Sequence, residues 1–145
     1  MKLPENPDAP RGWSVEIFAR FWAKPDITWV QYACHPDVIA YWPFTPKPAR
    51  GVEEYVKGLA AVLAIVPDIT LEVAEHATNG NLVFIRWIAR GTGAHGPFEL
   101  SGIDRFLVRD GLVAENRVFF DSNRFRKAIG RFRVASRLTK HLLFG

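Results

Sequence analysis

The chain has 145 residues, of which 48% are hydrophobic, so it is long enough to form one globular domain with a real core. Its single cysteine excludes an intramolecular disulfide, and no apolar run is long enough to span a membrane or to act as a signal peptide, so we expect a cytoplasmic protein. The net charge of +4 is uneven, because residues 123–145 hold seven Lys or Arg and no acid, whereas the rest of the chain is mildly acidic.

Helical patterns occupy the first half of the chain. Ser14 is a suitable cap for a helix over residues 15–23, and a second helical segment is predicted over residues 26–33. A short strand over residues 38–42 and a Pro-rich loop follow. A longer helix is predicted over residues 52–65. The inward stripe of that helix consists of Val52, Tyr55, Val56, Leu59, Val62 and Leu63.

After Asp68 the hydrophobic period changes from helical to alternating, which indicates strands. Four strands are predicted, over residues 69–78, 82–90, 98–108 and 112–120. The dipeptides Asn79-Gly80 and Asp110-Gly111 are typical of tight turns between antiparallel strands. Helices followed by an antiparallel meander predict an α+β fold, in which a curved sheet wraps around the helices.

Asp104 is the most informative residue, because it is a carboxylate within an apolar strand face. That face consists of Phe98, Leu100, Gly102, Asp104, Phe106 and Val108. Burying an ionised carboxylate without partners is costly, so such a group either finds a partner or has a raised pKa. Asp104 is therefore either part of a structural ion pair or the start of an active site.

Two registers are possible for the hairpin that follows Asp104. A two-residue loop places Asp104 opposite Arg117, whereas a three-residue loop places it opposite Asn116. We predict the three-residue loop, since it keeps one face apolar and pairs opposite charges on the other. Asn116 is then the polar neighbour of Asp104.

The strand over residues 82–90 has two candidate inner faces. One is wholly apolar and includes Trp87, and the other includes Arg86 and Ile88. The pattern alone favours burying the Trp87 face and exposing Arg86. A sheet that lines a pocket on one side and meets another subunit on the other buries both faces, so the pattern leaves the question open.

Several motifs resemble the nuclear transport factor 2-like superfamily, and in particular its SnoaL-like, ketosteroid isomerase-like and limonene epoxide hydrolase-like branches. The resemblance covers about Ile17 to Ile129. Its motifs are Arg50-Gly51, Gly102-Ile103-Asp104-Arg105-Phe106, Arg109-Asp110-Gly111 and Phe119-Phe120-Asp121. The resemblance implies a cone-shaped curved antiparallel β-sheet wrapped around N-terminal helices, with an apolar cavity and usually a homodimer formed across the sheet. It indicates the fold well and the chemistry poorly, because this fold serves many purposes.

The ketosteroid isomerase branch implies a role for Asp104. The residue matches the aspartic acid of ketosteroid isomerase that stays protonated and donates a hydrogen bond to an oxyanion. The general-base aspartate of that family corresponds to Trp42, and its tyrosine donor corresponds to Phe21. We therefore do not expect the steroid isomerase mechanism.

The epoxide hydrolase branch implies a second, partial match. Tyr41 falls on the water-positioning tyrosine of that family and Arg86 on its catalytic arginine, which turns the Arg86 face toward the pocket. The two catalytic aspartates correspond to Ile88 and Val118, and the cyclase aspartate of the SnoaL branch also falls at Val118. Water activation by the hydrolase route is therefore not expected.

Together, these residues predict an enzyme that performs acid–base chemistry on a small hydrophobic substrate bearing a carbonyl, epoxide or enol oxygen, without metal or organic cofactor. Asp104 moves a proton, Arg86 tunes that acid or stabilises negative charge, and Tyr41 orients the oxygen. We expect isomerisation, cyclisation or dehydration in preference to epoxide hydrolysis. The predicted ligand contacts are Trp42, Trp22, Phe21, Ile88, Phe106, Asn116 and Val118. The alternative is a non-catalytic module that binds an apolar ligand or another protein.

We predict three segments, namely a disordered stretch over residues 1–12, a SnoaL-like domain over residues 13–122, and a basic C-terminal helix over residues 123–145. The apolar face of that helix is expected to pack on the cone or to close its mouth, and contact with a membrane surface is a minor alternative. The expected partners are a small hydrophobic molecule and a second copy of the chain. No motif predicts specific nucleic-acid binding, and no histidine spacing predicts a metal site.

Overall fold

The computed structural model describes residues 2–130, which form a six-stranded sheet with helices on one face. The helices are α1 (Val15–Ala23), a 3-10 helix (Ile27–Trp29), α2 (Val30–Ala33), α3 (Gly51–Ile65) and α4 (Ser122–Ile129). The strands are β1 (Cys34–Tyr41), β2 (Ala49–Arg50), β3 (Thr70–Asn79), β4 (Leu82–Gly93), β5 (Gly96–Arg109) and β6 (Leu112–Phe119). The predicted α+β class is confirmed.

The strands form a curved, unclosed sheet in the order β2-β1-β6-β5-β4-β3. Strands β3 to β6 form the predicted antiparallel meander. The pair β1 and β6 is parallel, so the sheet is mixed, whereas we expected an antiparallel sheet throughout. The two strands are far apart in the sequence, and no hairpin between them indicates their relative direction.

Local sequence signals explain where the helices begin. The Ser14 side chain accepts a hydrogen bond from the backbone N–H of Ile17 at the start of α1, as predicted. Asp121 accepts from the backbone N–H groups of Asn123 and Arg124 at the start of α4. These side chains satisfy backbone donors that have no partner within the helix.

Strand β1 begins at Cys34, four residues earlier than predicted, although Pro36 lies within it. Its pairing with β6 shifts register between Cys34 and Ile39, and β2 pairs only with Ile39 and Ala40. Pro36 therefore lies in an irregular stretch, where its missing N–H does not break a regular ladder.

The β5–β6 hairpin adopts neither of the two registers considered from the sequence. Asp110 and Gly111, with φ of 56° and 73°, form a two-residue turn. The register then shifts by one residue at Ala114, so that Val118 lies opposite Asp104. The predicted pairing of Asp104 with Asn116 is wrong, because alternation alone does not show a bulge.

The bulge determines which way Asn116 points. Without it, regular alternation from the turn would place Asn116 opposite Arg105, on the outer face of the sheet. With it, Asn116 lies opposite Phe106 and is 2% exposed. Asn116 is thus on the same face as Asp104, although the two residues are not directly paired.

The N-terminal stretch that we expected to be disordered packs on α2 over residues 2–12. The backbone N–H of Asn6 donates to the Tyr32 hydroxyl at 2.8 Å, and the Arg11 guanidinium lies 3.6 Å from the centre of the Tyr32 ring. At the other end, α4 is the first part of the predicted C-terminal helix, and the rest of that helix, from residue 131, lies outside the described residues. No helix within residues 2–130 is long and apolar enough to cross a membrane.

We expect Gly58→Ala to destabilise the fold. In an exposed helix this change stabilises by about 0.5–1 kcal/mol. In α3, however, a methyl group at Gly58 would overlap the indole ring of Trp42, so we expect a net loss of about 1–3 kcal/mol, measured by urea unfolding. The loss should shrink in a Trp42→Phe background, which removes the overlapping ring atoms. A stabilised Gly58→Ala variant would contradict this packing.

Candidate active site

An apolar cavity of about 150 Å³ lies between the inner face of the sheet and the helices. Its walls come from α1, α2, α3 and the inner residues of β4, β5 and β6, and α4 also contributes to the lining. Aromatic rings dominate the lining, among them Trp22, Trp42, Trp87, Phe106 and Phe120. Such a cavity excludes water and suits an apolar ligand.

Asp104 reaches this cavity from β5 and is only 7% exposed. Its Oδ1 accepts a hydrogen bond from the indole N–H of Trp87 at 3.2 Å. Because Trp87 belongs to β4, the neighbouring strand, the contact holds the carboxyl group against the sheet. The carboxyl group is thus oriented by a neutral donor, and no cation pairs with it among the described residues.

Asn116, on the same face of the sheet, accepts hydrogen bonds from two further parts of the chain. Its Oδ1 accepts from the Tyr55 hydroxyl of α3 at 3.0 Å and from the Trp42 indole N–H at 3.4 Å. Its side-chain amide N–H donates to the Arg105 carbonyl oxygen at 3.5 Å, and the residue lies on the same face of the sheet as Asp104. Within residues 2–130, no buried side-chain nitrogen or oxygen lacks a hydrogen-bond partner.

Burial changes the acidity of the groups in this cluster. It raises the pKa of Asp104 from 3.8 to about 7, and hydrogen bonds from Trp87 and Asn116 partly oppose that rise. Burial likewise raises the pKa of the Tyr55 hydroxyl well above its ordinary value and that of the Cys34 thiol to about 12. Near neutral pH Asp104 therefore exists in both protonation states, whereas Tyr55 and Cys34 stay protonated.

The predicted placement of Arg86 in the pocket is wrong. Its side chain is 42% exposed on the outer face of β4, and its Nε lies 2.9 Å from Glu75 Oε1. Ile88 also lies on the outer face and does not line the cavity. The apolar face with Trp87 and Ile85 is buried instead, as the alternation pattern alone favoured, because burying Arg86 in an apolar cavity would carry a large desolvation cost.

Tyr41 is also separate from the Asp104 cluster. On β1 the inner residues are Val38 and Ala40, so Tyr41 points to the opposite side of the sheet. Its ring lies 4.0 Å from the guanidinium carbon of Arg117, and it does not line the cavity. The structure therefore does not bring together the three predicted catalytic residues.

The other predicted ligand-contacting residues do line the cavity around Asp104. They are Trp42, Trp22, Phe21, Phe106, Asn116 and Val118. The sequence interpretation missed the roles of Trp87 and Tyr55, which were placed only in apolar stripes. Their N–H and O–H groups were the available signal, because a buried Trp or Tyr usually needs a hydrogen-bond partner. Within residues 2–130, no three His, Cys, Asp or Glu side chains are grouped so that they could hold a metal ion.

The family model of the SnoaL-like domain matches residues 15–116. The chain belongs to the SnoaL-like domain family. No curated protein sequence matches it.

Solved structures share the fold at low sequence identity. TerC, co-crystallised with polyporic acid, is 22% identical, with a TM-score of 0.69 over 78% of this chain and 94% of that one. A candidate SnoaL-like polyketide cyclase from Jannaschia sp. CCS1 is 17% identical, with a TM-score of 0.70 over 79% and 90% of the two chains. IdmH from Streptomyces antibioticus, a candidate polyketide cyclase, is 21% identical, with a TM-score of 0.65 over 81% and 93%.

We expect the SnoaL-like chain to lose stability as the pH rises from about 4 to about 7. In the unfolded chain Asp104 ionises near its ordinary pKa, whereas in the fold it keeps its proton until about pH 7. The unfolded state therefore binds fewer protons in this interval, and the free energy of unfolding falls by up to about 4 kcal/mol and then levels off.

Asp104→Asn should remove this component, as measured by urea unfolding at intervals from pH 4 to pH 8. Asp8→Asn, a matched change at an exposed aspartate, should leave the profile of the wild-type chain unchanged. Identical profiles for the wild-type chain and Asp104→Asn would show that Asp104 ionises normally in the fold.

Proposed function

We propose that this SnoaL-like protein is an enzyme that performs acid–base chemistry on a small apolar substrate bearing an oxygen atom. The observation that carries the proposal is the Asp104 carboxyl group in an aromatic cavity, with its pKa raised to about 7. A group that is half ionised near neutral pH is suited both to accept and to donate a proton. Perturbed carboxyl groups of this kind are frequent in active sites.

One carboxyl group suffices for a proton shuttle. The ionised Asp104 takes a proton from a carbon next to a carbonyl group, and the electron pair of the broken C–H bond moves onto the substrate oxygen as an enolate. The protonated Asp104 then returns the proton to another atom of the same substrate, which completes an isomerisation. Cyclisation follows when the enolate carbon instead attacks a second carbonyl carbon of the substrate, whose C=O π electrons move onto its oxygen and take the proton from Asp104. Dehydration follows when the enolate re-forms its carbonyl and expels a hydroxyl group from the neighbouring carbon, which leaves as water with the proton from Asp104.

The surrounding residues act on Asp104 rather than on the substrate. Trp87 donates a hydrogen bond to one carboxyl oxygen, and Asn116, fixed by Tyr55 and Trp42, lowers the pKa of the carboxyl group from the same face of the sheet. These residues are positioning residues. The aromatic walls exclude water, which strengthens electrostatic interactions inside the cavity.

The structural neighbours support a ligand of this kind. TerC was co-crystallised with polyporic acid, and IdmH is a candidate polyketide cyclase. The cavity here is lined mainly by aromatic and aliphatic side chains, so a small hydrophobic molecule is the partner that we propose.

A non-catalytic binding module is the second candidate. The observation that favours it is the position of Arg86 and Tyr41, which both lie away from Asp104. Neither residue can therefore assist Asp104 in catalysis. A protein of this kind would bind an apolar molecule in the same cavity without converting it.

The two candidates are separated by a general probe for a buried carboxylate base, 5-nitrobenzisoxazole. A base removes its C3 proton, the N–O bond breaks, and a coloured cyanophenolate forms. We expect kcat/KM to rise with pH and to level off above about 7, because Asp104 must be ionised to act. Asp104→Asn should lower the rate by at least about 100-fold.

Arg86→Gln is the matched control, since Arg86 lies outside the cavity. It should leave the probe rate and its pH profile unchanged. Binding of the probe without any turnover above that in buffer would favour the non-catalytic module. A rate in Asp104→Asn equal to that of the wild-type chain would show that Asp104 is not the base.

We also propose that two copies of the chain associate through the outer face of the sheet. Phe84, Ile103 and Phe119 are large apolar residues on this face and are 40%, 41% and 57% exposed. Ile103 lies beside Phe119 of β6 and beside Arg86 of β4, so the apolar side chains of this face adjoin charged ones. An apolar patch with a polar surround is typical of a protein–protein interface.

Phe119→Asp should therefore shift the chain from dimer to monomer in analytical ultracentrifugation, because it places a charge at the most exposed apolar residue of this patch. Thr78→Asp introduces the same charge on β3, beside the inward-facing Val83, and should leave the dimer intact. A monomeric wild-type chain, or a dimer that survives Phe119→Asp, would exclude this interface.

A further inference from the structure

Helix α4 brings a cation to the apolar cavity. Arg124 and Phe125 both line it, and Arg124 is exposed, so this part of the lining lies where the cavity meets solvent. Among the described residues that line the cavity, Arg124 is the single Lys or Arg. We call this region, formed by Asp121, Arg124 and Phe125, the α4 rim.

The α4 rim is held in place by several contacts. Ile129, near the end of the helix, is fully buried, and its carbonyl oxygen accepts from the Ala94 N–H at 3.0 Å. The backbone of Ala128 passes so close to Gly93 that a methyl group there would overlap its carbonyl oxygen. The Phe125 ring packs edge-on against Phe98 and Phe120. Arg124 therefore belongs to a packed element of the fold.

Arg124 differs in its charge environment from four arginines of the sheet. Arg86, Arg90, Arg105 and Arg117 each form an ion pair with a glutamate. No described residue forms an ion pair with Arg124. The nearby acid, Asp121, uses its Oδ1 to accept the backbone N–H groups of Asn123 and Arg124 as the helix cap.

An unpaired guanidinium group beside an apolar cavity is suited to a ligand with one charged end. Guanidinium groups bind carboxylates through two parallel hydrogen bonds, and they do so better than they bind neutral groups. The cavity encloses only a small body, since about 150 Å³ holds a molecule of the size of benzene, and the rest of a longer ligand extends through the opening at the α4 rim.

We propose that Arg124 is a specificity-determining residue that binds the carboxylate of a small apolar acid, whose apolar body fills the cavity. The inference deepens the proposed function and rests on it in one respect. It assumes that the end of the ligand opposite the carboxylate lies against Asp104. The substrate class is then an apolar carboxylic acid with a body of about one ring.

The test uses two probes of nearly equal shape, 3-phenylpropanoate and its neutral amide, 3-phenylpropanamide, with isothermal titration calorimetry on the full chain. The wild-type chain should bind the carboxylate more tightly than the amide. Arg124→Gln should weaken carboxylate binding by about threefold to tenfold, since the site is partly exposed, and leave amide binding unchanged. Arg126→Gln, on the same helix but not lining the cavity, should change neither.

Equal loss of both probes in Arg124→Gln would indicate a packing role and would overturn the proposal. So would equal binding of the carboxylate to the wild-type chain and the variant, or no binding of either probe to the wild-type chain.

The Asp104→Asn variant separates this proposal from the proposed function. It should keep the preference for the carboxylate, because Arg124 is intact. If Asp104→Asn still turns over 5-nitrobenzisoxazole while Arg124→Gln loses the preference, the proposed function fails and the carboxylate site stands. If the preference for the carboxylate is independent of Arg124 while turnover depends on Asp104, the carboxylate site fails and the proposed function stands.

Discussion

The desolvation of Asp104 is the interaction on which the rest of the site depends. A carboxyl group placed in an aromatic cavity is stable only if it is neutral or well hydrogen-bonded, and the fold supplies both conditions. Trp87 donates to the carboxyl group from β4, and Asn116 of β6 lies on the same face, held by Tyr55 of α3 and by Trp42, which follows β1. The buried polar groups around Asp104 therefore connect the sheet with α3, so the two have to pack in one arrangement to satisfy these hydrogen bonds.

Much of this arrangement could be predicted from local patterns. Alternation placed Asp104 on the inner face of its strand, Asp110-Gly111 marked the turn, and Ser14 marked a helix start. The features that could not be predicted depend on contacts between distant residues. They are the parallel pairing of β1 with β6 and the bulge at Ala114, because neither changes the local hydrophobic pattern.

The resemblance to other SnoaL-like and related proteins was informative about the fold and misleading about the side chains of Arg86 and Tyr41. It placed Arg86 in the pocket, whereas the apolar face of β4 that contains Trp87 is the buried one. Correspondence of positions between distant relatives does not include the orientation of a strand residue, since neighbouring residues point to opposite faces. The desolvation cost of a guanidinium group was the better guide, and it agrees with the position of the unpaired Arg124 at the rim.

The bulge at Ala114 links the two faces of the sheet. Beyond it, Asn116, Val118 and Phe120 line the cavity, while Arg117 and Phe119 lie on the outer face. Removal of the extra residue would exchange these two sets, because the side chains of a strand alternate. One inserted residue thus determines which side chains of β6 face the cavity and which face outward, so a change at this position alters both faces of the strand at once.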